Sequence, residues 1–501
     1  MTQKKYKQEL ALYVTLASLI VVFLVACNGK VAEQPSASQP AIELQPCQLS
    51  MPGVALRLDA RCGKLAVFED RQAQSGRQIE LNIAVIPAVS RNPAPDPIFF
   101  LAGGPGEAAT ESYLVVYSAF QLANQKRDIV LVDQRGTGGS NPLDCPNLSA
   151  EATPAAESGA YDETALYKAC LEALDADPRL YTTAIAADDL DQVREALGYP
   201  QVNLYGASYG TRVALAYARQ HPERLRAMIL DGVVPMDWTL GPAIAGDAQR
   251  ALDLIFSRCK TDAECSQRFP NLEGEFQALL AGLADAPRQV ALDHPVTGEP
   301  IEFTLTGDLF ASLVHTSSYA PETAALLPLM IHTAHEQDDF TQFAAMALSN
   351  FETLYASLSQ GMRFSVVCSE DAPFMKDTPA SRGYLGDFYT RSFLQICEVW
   401  PPGDIPADFK KPVYSEVPTL LLSGEADPVT PPSNAAQAAQ TLPNSLQITV
   451  PGQGHVVIFR GCLPRLATRF IETASLDGLD TSCVKEIEPM PFFLNVNGPK
   501  P

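Results

Sequence analysis

Three short apolar runs, each breaking off into glycine or polar residues, constrain the fold of this chain more than any other feature: PIFFLAGGPG at 97–106, DIVLVDQRGTGGS at 128–140 and VNLYGASYG at 202–210. A strand with one face in water alternates apolar and polar residues, whereas a strand covered on both faces is continuously apolar. These runs are of the second kind. Helical patterns at 187–197 and 212–219 precede and follow the third, and a fourth run, RAMILDGVV, occupies 226–234. Strand, helix and strand at this spacing predict an α/β fold with a mostly parallel, doubly wound sheet.

The rest of the chain divides around that pattern. With 501 residues, 46% of them hydrophobic, a large core is available. Segments 65–69 and 79–87, joined by a polar turn around Gln74-Ser75-Gly76, predict a pair of edge strands. From Pro235 to about Lys411 the pattern turns helical, with cysteines, prolines and polar loops. VPTLLLSGEADPV at 417–429 resumes the strand pattern, SLQITVPGQGH at 445–455 supplies a last strand and loop, and 463–473 a closing helix. The expected division is a core at 46–234 and 416–485, an inserted helical cap at 235–415 and a tail at 486–501.

At the amino end, Lys4, Lys5 and Lys7 precede an uncharged apolar run at 11–25. This is the charged and apolar order of a secretory signal, and the run falls short of the roughly 20 residues a membrane span needs. Leu24-Val25-Ala26-Cys27 resembles the lipobox of bacterial lipoproteins. That resemblance implies removal of 1–26, a lipid on Cys27, a polar tether at 27–45 and an exported protein anchored to the cell envelope. Asn28 lacks the aspartate associated with inner-membrane retention, so the outer membrane is favoured for a Gram-negative source. Ten cysteines remain, an even number that in an exported chain predicts disulfides. Joining neighbours gives Cys47 with Cys62, Cys145 with Cys170, Cys259 with Cys265, Cys368 with Cys397 and Cys462 with Cys483.

Several classes are excluded. Lys and Arg number 36 against 58 Asp and Glu, and the net charge of -22 repels nucleic acid and anionic membrane surfaces. No C-x-x-C pair supports a zinc ribbon, no G-K-[ST] follows Gly103–Gly106, and GTGGS lacks the third glycine of a dinucleotide fingerprint. His332 and His335 lie three apart without the H-E-x-x-H pattern, and are read as a solvated or packed helix face. No metal and no cofactor are expected.

The chemistry centres on Ser208 in YGASYG. A serine between glycines, at the turn from a strand into a helix, is lifted into solvent beside a helix N-terminus. Its hydroxyl is a poor nucleophile without a base, and the base needs a carboxylate to orient it. In serine hydrolases built on such a sheet, the acid and then the histidine follow the serine. Of six histidines, only His455 lies after the resumed strand. LLLSGEADPVTP offers Glu425 and Asp427; the proline after Asp427 fits a rigid turn, and the hydrolase pattern places the acid there. An oxyanion hole needs two backbone N–H groups, one expected from Tyr209 and the other from the Gly103–Gly104 loop. Asp133 and Arg135 in VDQRG are expected to brace loops by ion pairing.

FFLAGGPG, VDQRGTGGS, GASYG, DGVV, SGEADPVTP and GQGH, in that order, resemble the α/β-hydrolases of the prolyl iminopeptidase and tripeptidyl aminopeptidase group, over about 62–483. CGKLAVFEDRQAQSGRQIELNIAVIPA is similar to the first strands of the secreted tripeptidyl aminopeptidase-like branch. The resemblance implies Ser208 as nucleophile, His455 as base, Asp427 as its partner, and a capped exopeptidase acting on peptides with a free amino end. It also suggests Glu370 and Asp371, in SVVCSEDAP, as receivers of that amine. Ala102 stands where prolyl iminopeptidases usually carry histidine, which fits the secreted branch better. A carboxylesterase uses the same machinery, and a silent surface lipoprotein that binds through its cap is the alternative outside catalysis. Epoxide hydrolases and dehalogenases carry aspartate at the serine's place.

Overall fold

The computed structural model describes residues 42–145 without 52, and 163–498 without 295–296 and 376–382, with side chains left aside at 163 and 350–357. The signal at 1–26, Cys27 and most of the tether lie outside the described residues. Among the described residues, no helix is long and apolar enough to cross a membrane.

The continuous apolar runs become strands buried along their whole length: β4 (Ile98–Leu101), β5 (Ile129–Val132) and β6 (Val202–Ala207). They follow β1 (Gln45–Met51), β2 (Val54–Phe68) and β3 (Gln78–Ile86), and precede β7 (Leu225–Asp231), the hairpin strands β8 (Arg288–Asp293) and β9 (Pro300–Leu305), then β10 (Thr419–Gly424) and β11 (Ser445–Val450). Nine of these form one sheet in the order β1-β2-β3-β5-β4-β6-β7-β10-β11. The β1-β2-β3-β5 side is antiparallel, and from β5 through β11 every pairing is parallel. Apolar side chains from the two faces of the sheet feed two separate cores, one around Val213 and Leu204 and the other around Tyr113 and Phe470.

The antiparallel end differs from the expectation. β2 starts at Val54, well before Leu65, and pairs with an outer strand, β1, that begins at Gln45. The predicted strand at 79–87 is therefore interior, between β2 and β5, and the edge is β1. The reason is local: β1 and the first half of β2 bury only alternate positions and carry arginine and cysteine, so they lack a continuous apolar run. The Cys47–Cys62 disulfide ties them together.

Between β7 and β10 the chain is mainly helical, with the β8–β9 hairpin as a small second sheet. Phe276, Phe310 and Phe343 pack there into a core of their own. All five neighbouring cysteine pairs are joined.

Candidate active site

Ser208 sits in the turn between β6 and the helix Tyr209–Gln220, with φ 53° and ψ -122°. A non-glycine residue in that region is strained, and persists only where its surroundings over-determine it. The hydrogen bonds that fix it run in both directions. Ser208 N donates to Asp231 O at 2.8 Å, and Ser208 O accepts from Thr211 N at 2.9 Å and Thr211 Oγ1 at 2.6 Å. The flanking glycines are required by close approach: a methyl group on Gly206 would overlap the Gly210 carbonyl, and one on Gly210 would overlap the Leu101 carbonyl.

Asp427 follows the end of β10, and His455 lies on the loop after β11, so adjacent parallel strands deliver both. His455 Nδ1 is 2.8 Å from Asp427 Oδ2. An ionised carboxylate only accepts, so Nδ1 carries the proton and Nε2 is left with a free lone pair. Asp427 is fully buried, and its Oδ1 accepts the N–H groups of Val429 and Thr430 at 2.9 and 2.8 Å. Burial pushes its pKa up, but the His455 charge and these N–H donors outweigh burial and hold it below the ordinary carboxylate range. For His455 burial favours the neutral ring, and Asp427, with help from Asp231 and Glu107, reverses this and raises its pKa.

Three further groups frame this pair, two of them, Thr430 and Asp231, in segments quoted above for another reason. Thr430 Oγ1 donates to Asp427 Oδ2 at 2.8 Å and stands 3.0 Å from His455 Nδ1. Asp231, at the end of β7, accepts the N–H groups of Val457 and Ile458 and so pins the loop after His455. Tyr319 O accepts His455 N–H at 2.7 Å. Sequence reading missed all three, since a hydroxyl, a carboxylate or a backbone carbonyl carries no signal of what it will face across the fold.

Gly232 links the surroundings of Ser208 and His455: a methyl group there would stand 3.0 Å from His455 Cε1, and Gly232 follows the Asp231 that holds Ser208 N. Among the described residues Ser208 Oγ makes no hydrogen bond with His455, a separation that catalytic pairs without substrate often show. Near them, Gly103 N donates to Glu107 Oε2 at 3.1 Å. That N–H, one of the expected oxyanion donors, is therefore engaged by Glu107 in this structure. Among the described residues no hydrogen bond engages Tyr209 N or Gly104 N.

Glu370 and Asp371 do not face a vacant amine site. Glu370 is fully buried and accepts Thr183 N and Thr183 Oγ1 at 2.7 and 2.8 Å. Asp371 takes Arg212 at 2.9 and 3.2 Å and Lys410 at 2.8 Å. Carboxylates already neutralised and hydrogen-bonded inside the fold have nothing to gain from a substrate ammonium, and this corrects the expectation. Their chain continues through Thr183 to the Tyr209 hydroxyl at 2.7 Å, which underpins the residue after Ser208.

Arg135 braces loops by its ion pair with Asp189, at 2.6 and 2.9 Å. Asp133 does so without a cation, by accepting from Thr110, Asn82 and Gly139. Away from this region, Glu275, His335 and Glu336 bring one ligand atom each to within 4.8 Å of one another. His335 and Glu336 are exposed on the helix Leu327–Gln337, and His332 of that helix pairs with the buried Glu275 of the helix Leu272–Asp285 at 3.0 Å, so the trio reads as a contact between two packed helices.

Comparison with known proteins agrees with this layout. The family described as alpha/beta hydrolase fold matches residues 96–255, and the one described as TAP-like protein matches 382–483. Serine protease Hip1 of Mycobacterium tuberculosis is 28% identical over 519 aligned residues, covering 93% of this chain and 96% of its own. Tripeptidyl aminopeptidase of Streptomyces coelicolor is 23% identical, covering 86% and 84%. Proline iminopeptidase of Neisseria gonorrhoeae is 30% identical over 144 residues, 29% of this chain and 34% of its own. With sheet order, both family matches and these relatives in agreement, the chain has the α/β-hydrolase fold, and its relatives support the peptidase group of that fold.

Proposed function

We propose that the protein is a serine exopeptidase that releases residues from the amino end of peptides. Ser208 attacks the scissile carbonyl, His455 Nε2 takes the serine proton and returns it to the leaving amine, and Asp427 holds the imidazole in the required tautomer. Tyr209 N–H and Gly104 N–H receive the oxyanion, and water then releases the acyl group. The observation that carries this reading is the 2.8 Å contact of His455 with Asp427 beside a strained serine turn. The names of the relatives support a peptidase, and in this reading the helical segment at 235–415 acts as a cap. Export and a lipid on Cys27 complete the proposal and rest on the amino-terminal sequence alone.

The test is labelling by a fluorophosphonate probe in the wild type and in Ser208→Ala, followed by aminoacyl amides, tripeptidyl amides and simple aryl esters as substrates. Labelling that does not depend on Ser208 would sink the hydrolase reading. Ester hydrolysis without amide hydrolysis would replace the peptidase with a carboxylesterase. Mass analysis of the mature amino terminus checks Cys27.

A further inference from the structure

Glu107 directly follows the Gly103–Gly106 loop, and its carboxylate reaches back to accept Gly103 N–H at 3.1 Å. A methyl group built on Gly103 would lie 3.3 Å from Ser208 Cβ and 3.4 Å from Glu107 Oε2, so a single methyl group would bridge the carboxylate and the nucleophile's side chain. Among the described residues no lysine or arginine pairs with it. Its pKa is raised by burial, and the influences that oppose this are the Gly103 N–H and the field of His455.

A negative charge at this place works against the reaction. The substrate carbonyl oxygen turns anionic beside the same loop, and a nearby carboxylate raises the barrier for any neutral acyl group. A cation brought by the substrate removes the penalty. Glu370 and Asp371 are already engaged by Thr183, Arg212 and Lys410, Asp231 by the N–H groups of Val457 and Ile458, and Asp427 by His455, which leaves Glu107, with its bond from Gly103 N–H, as the least engaged of these carboxylates near the serine.

We infer that the Glu107 carboxylate receives the α-ammonium group of the residue that carries the scissile carbonyl, so that residues leave one at a time. This deepens the exopeptidase reading above and rests on it. Reach decides between single residues and tripeptides. The amine of an aminoacyl group is two bonds from its carbonyl carbon, about 2.5 Å, whereas in a tripeptidyl group it lies two residues further away, about 7 Å in an extended chain. A carboxylate one methyl group from Ser208 Cβ suits the first distance and not the second.

The experiment measures kcat/KM for the anilides of alanine, N-acetylalanine and trialanine in the wild type and in Glu107→Gln, with fluorophosphonate labelling of Ser208 as the check on folding. The wild type should favour the alanyl anilide over both others. In Glu107→Gln the ratio of alanyl to N-acetylalanyl should fall by roughly 30-fold or more, the scale of losing one partner of a sequestered charge pair. An unchanged ratio, an equal loss on both substrates, or a wild type faster on trialanyl anilide overturns the inference. If the variant does not label, the wild type decides: alaninamide must inhibit better than propionamide, and equal inhibition overturns it. A wild type that labels but cleaves no anilide overturns the exopeptidase reading, and this inference with it; a wild type that does not label overturns the hydrolase itself.

Discussion

Arg212 Nη1 lies 2.9 Å from Asp371 Oδ2, and Arg212 Nη2 3.2 Å from Asp371 Oδ1, so the helix that starts just after Ser208 is fastened to the end of the helix Gln360–Glu370. Both groups are buried, and Lys410 adds a second cation at 2.8 Å. Removing one partner strands the other charges. Asp371→Ala should cost about 3–5 kcal/mol of stability. Urea denaturation measures this, and the activity lost should track the unfolded fraction rather than appear as a raised KM.

The second expectation concerns pH. The base must be neutral to take the serine proton, and Asp427 holds the His455 pKa above its ordinary 6.5. Activity should rise with pH along a limb whose midpoint lies above 6.5. In Asp427→Asn the limb should move down and kcat should fall about 10³- to 10⁴-fold through loss of the tautomer. A pH profile of kcat/KM that is the same in both proteins would remove Asp427 from the role.

Glu370 provides a stability test independent of catalysis. Burial moves its pKa from an ordinary 4.5 to about 7, against the pull of Arg212 and the Thr183 N–H. A folded-state pKa raised in this way contributes stability that is fully present below pH 4.5 and lost as pH rises through about 7. Glu370→Gln keeps an acceptor for Thr183 without the charge. It should therefore flatten the fall in stability between pH 4.5 and 7, and at pH 8 stand roughly 2–3 kcal/mol above the wild type. Melting temperatures at pH 5 and pH 8 would show it.

Gly210→Ala should be among the most damaging single substitutions. The added methyl group would run into the backbone carbonyls of Leu101 and Ala102, neither of which can move without displacing β4 or the oxyanion loop. Overpacking typically costs about 1–3 kcal/mol, and backbone overlap places this site at the upper end. Soluble yield, together with fluorophosphonate labelling rate, checks it.

How much of this was legible in sequence depends on range. β4, β5 and β6 announce themselves because burial on both faces leaves no alternation to misread. His455 followed from order along the chain, and the local disulfides from neighbourhood. Glu370 and Asp371 were misread because their partners lie far away, Thr183 at a separation of 187 residues and Arg212 at 159. In the helix Gln360–Glu370 every residue but Arg363 is buried, yet QGMRFSVVCSE shows no periodic stripe: Ser365 and Ser369 donate to carbonyls within the helix, and Glu370 is satisfied by the distant Thr183. Glu107 stood in plain view after GGPG. Only folding shows that its side chain doubles back to Gly103.

The bond from His455 N–H to Tyr319 O has a consequence for modularity. Tyr319 lies just past the helix Gly307–Ser317, inside the insertion between β7 and β10, so the backbone of His455 is held by the segment that the proposed function makes the cap. Exchanging that segment with a relative's would not be a neutral graft. Chimeras that keep the Tyr319 carbonyl in register should inherit a new preference, and those that lose it should lose turnover for every substrate alike.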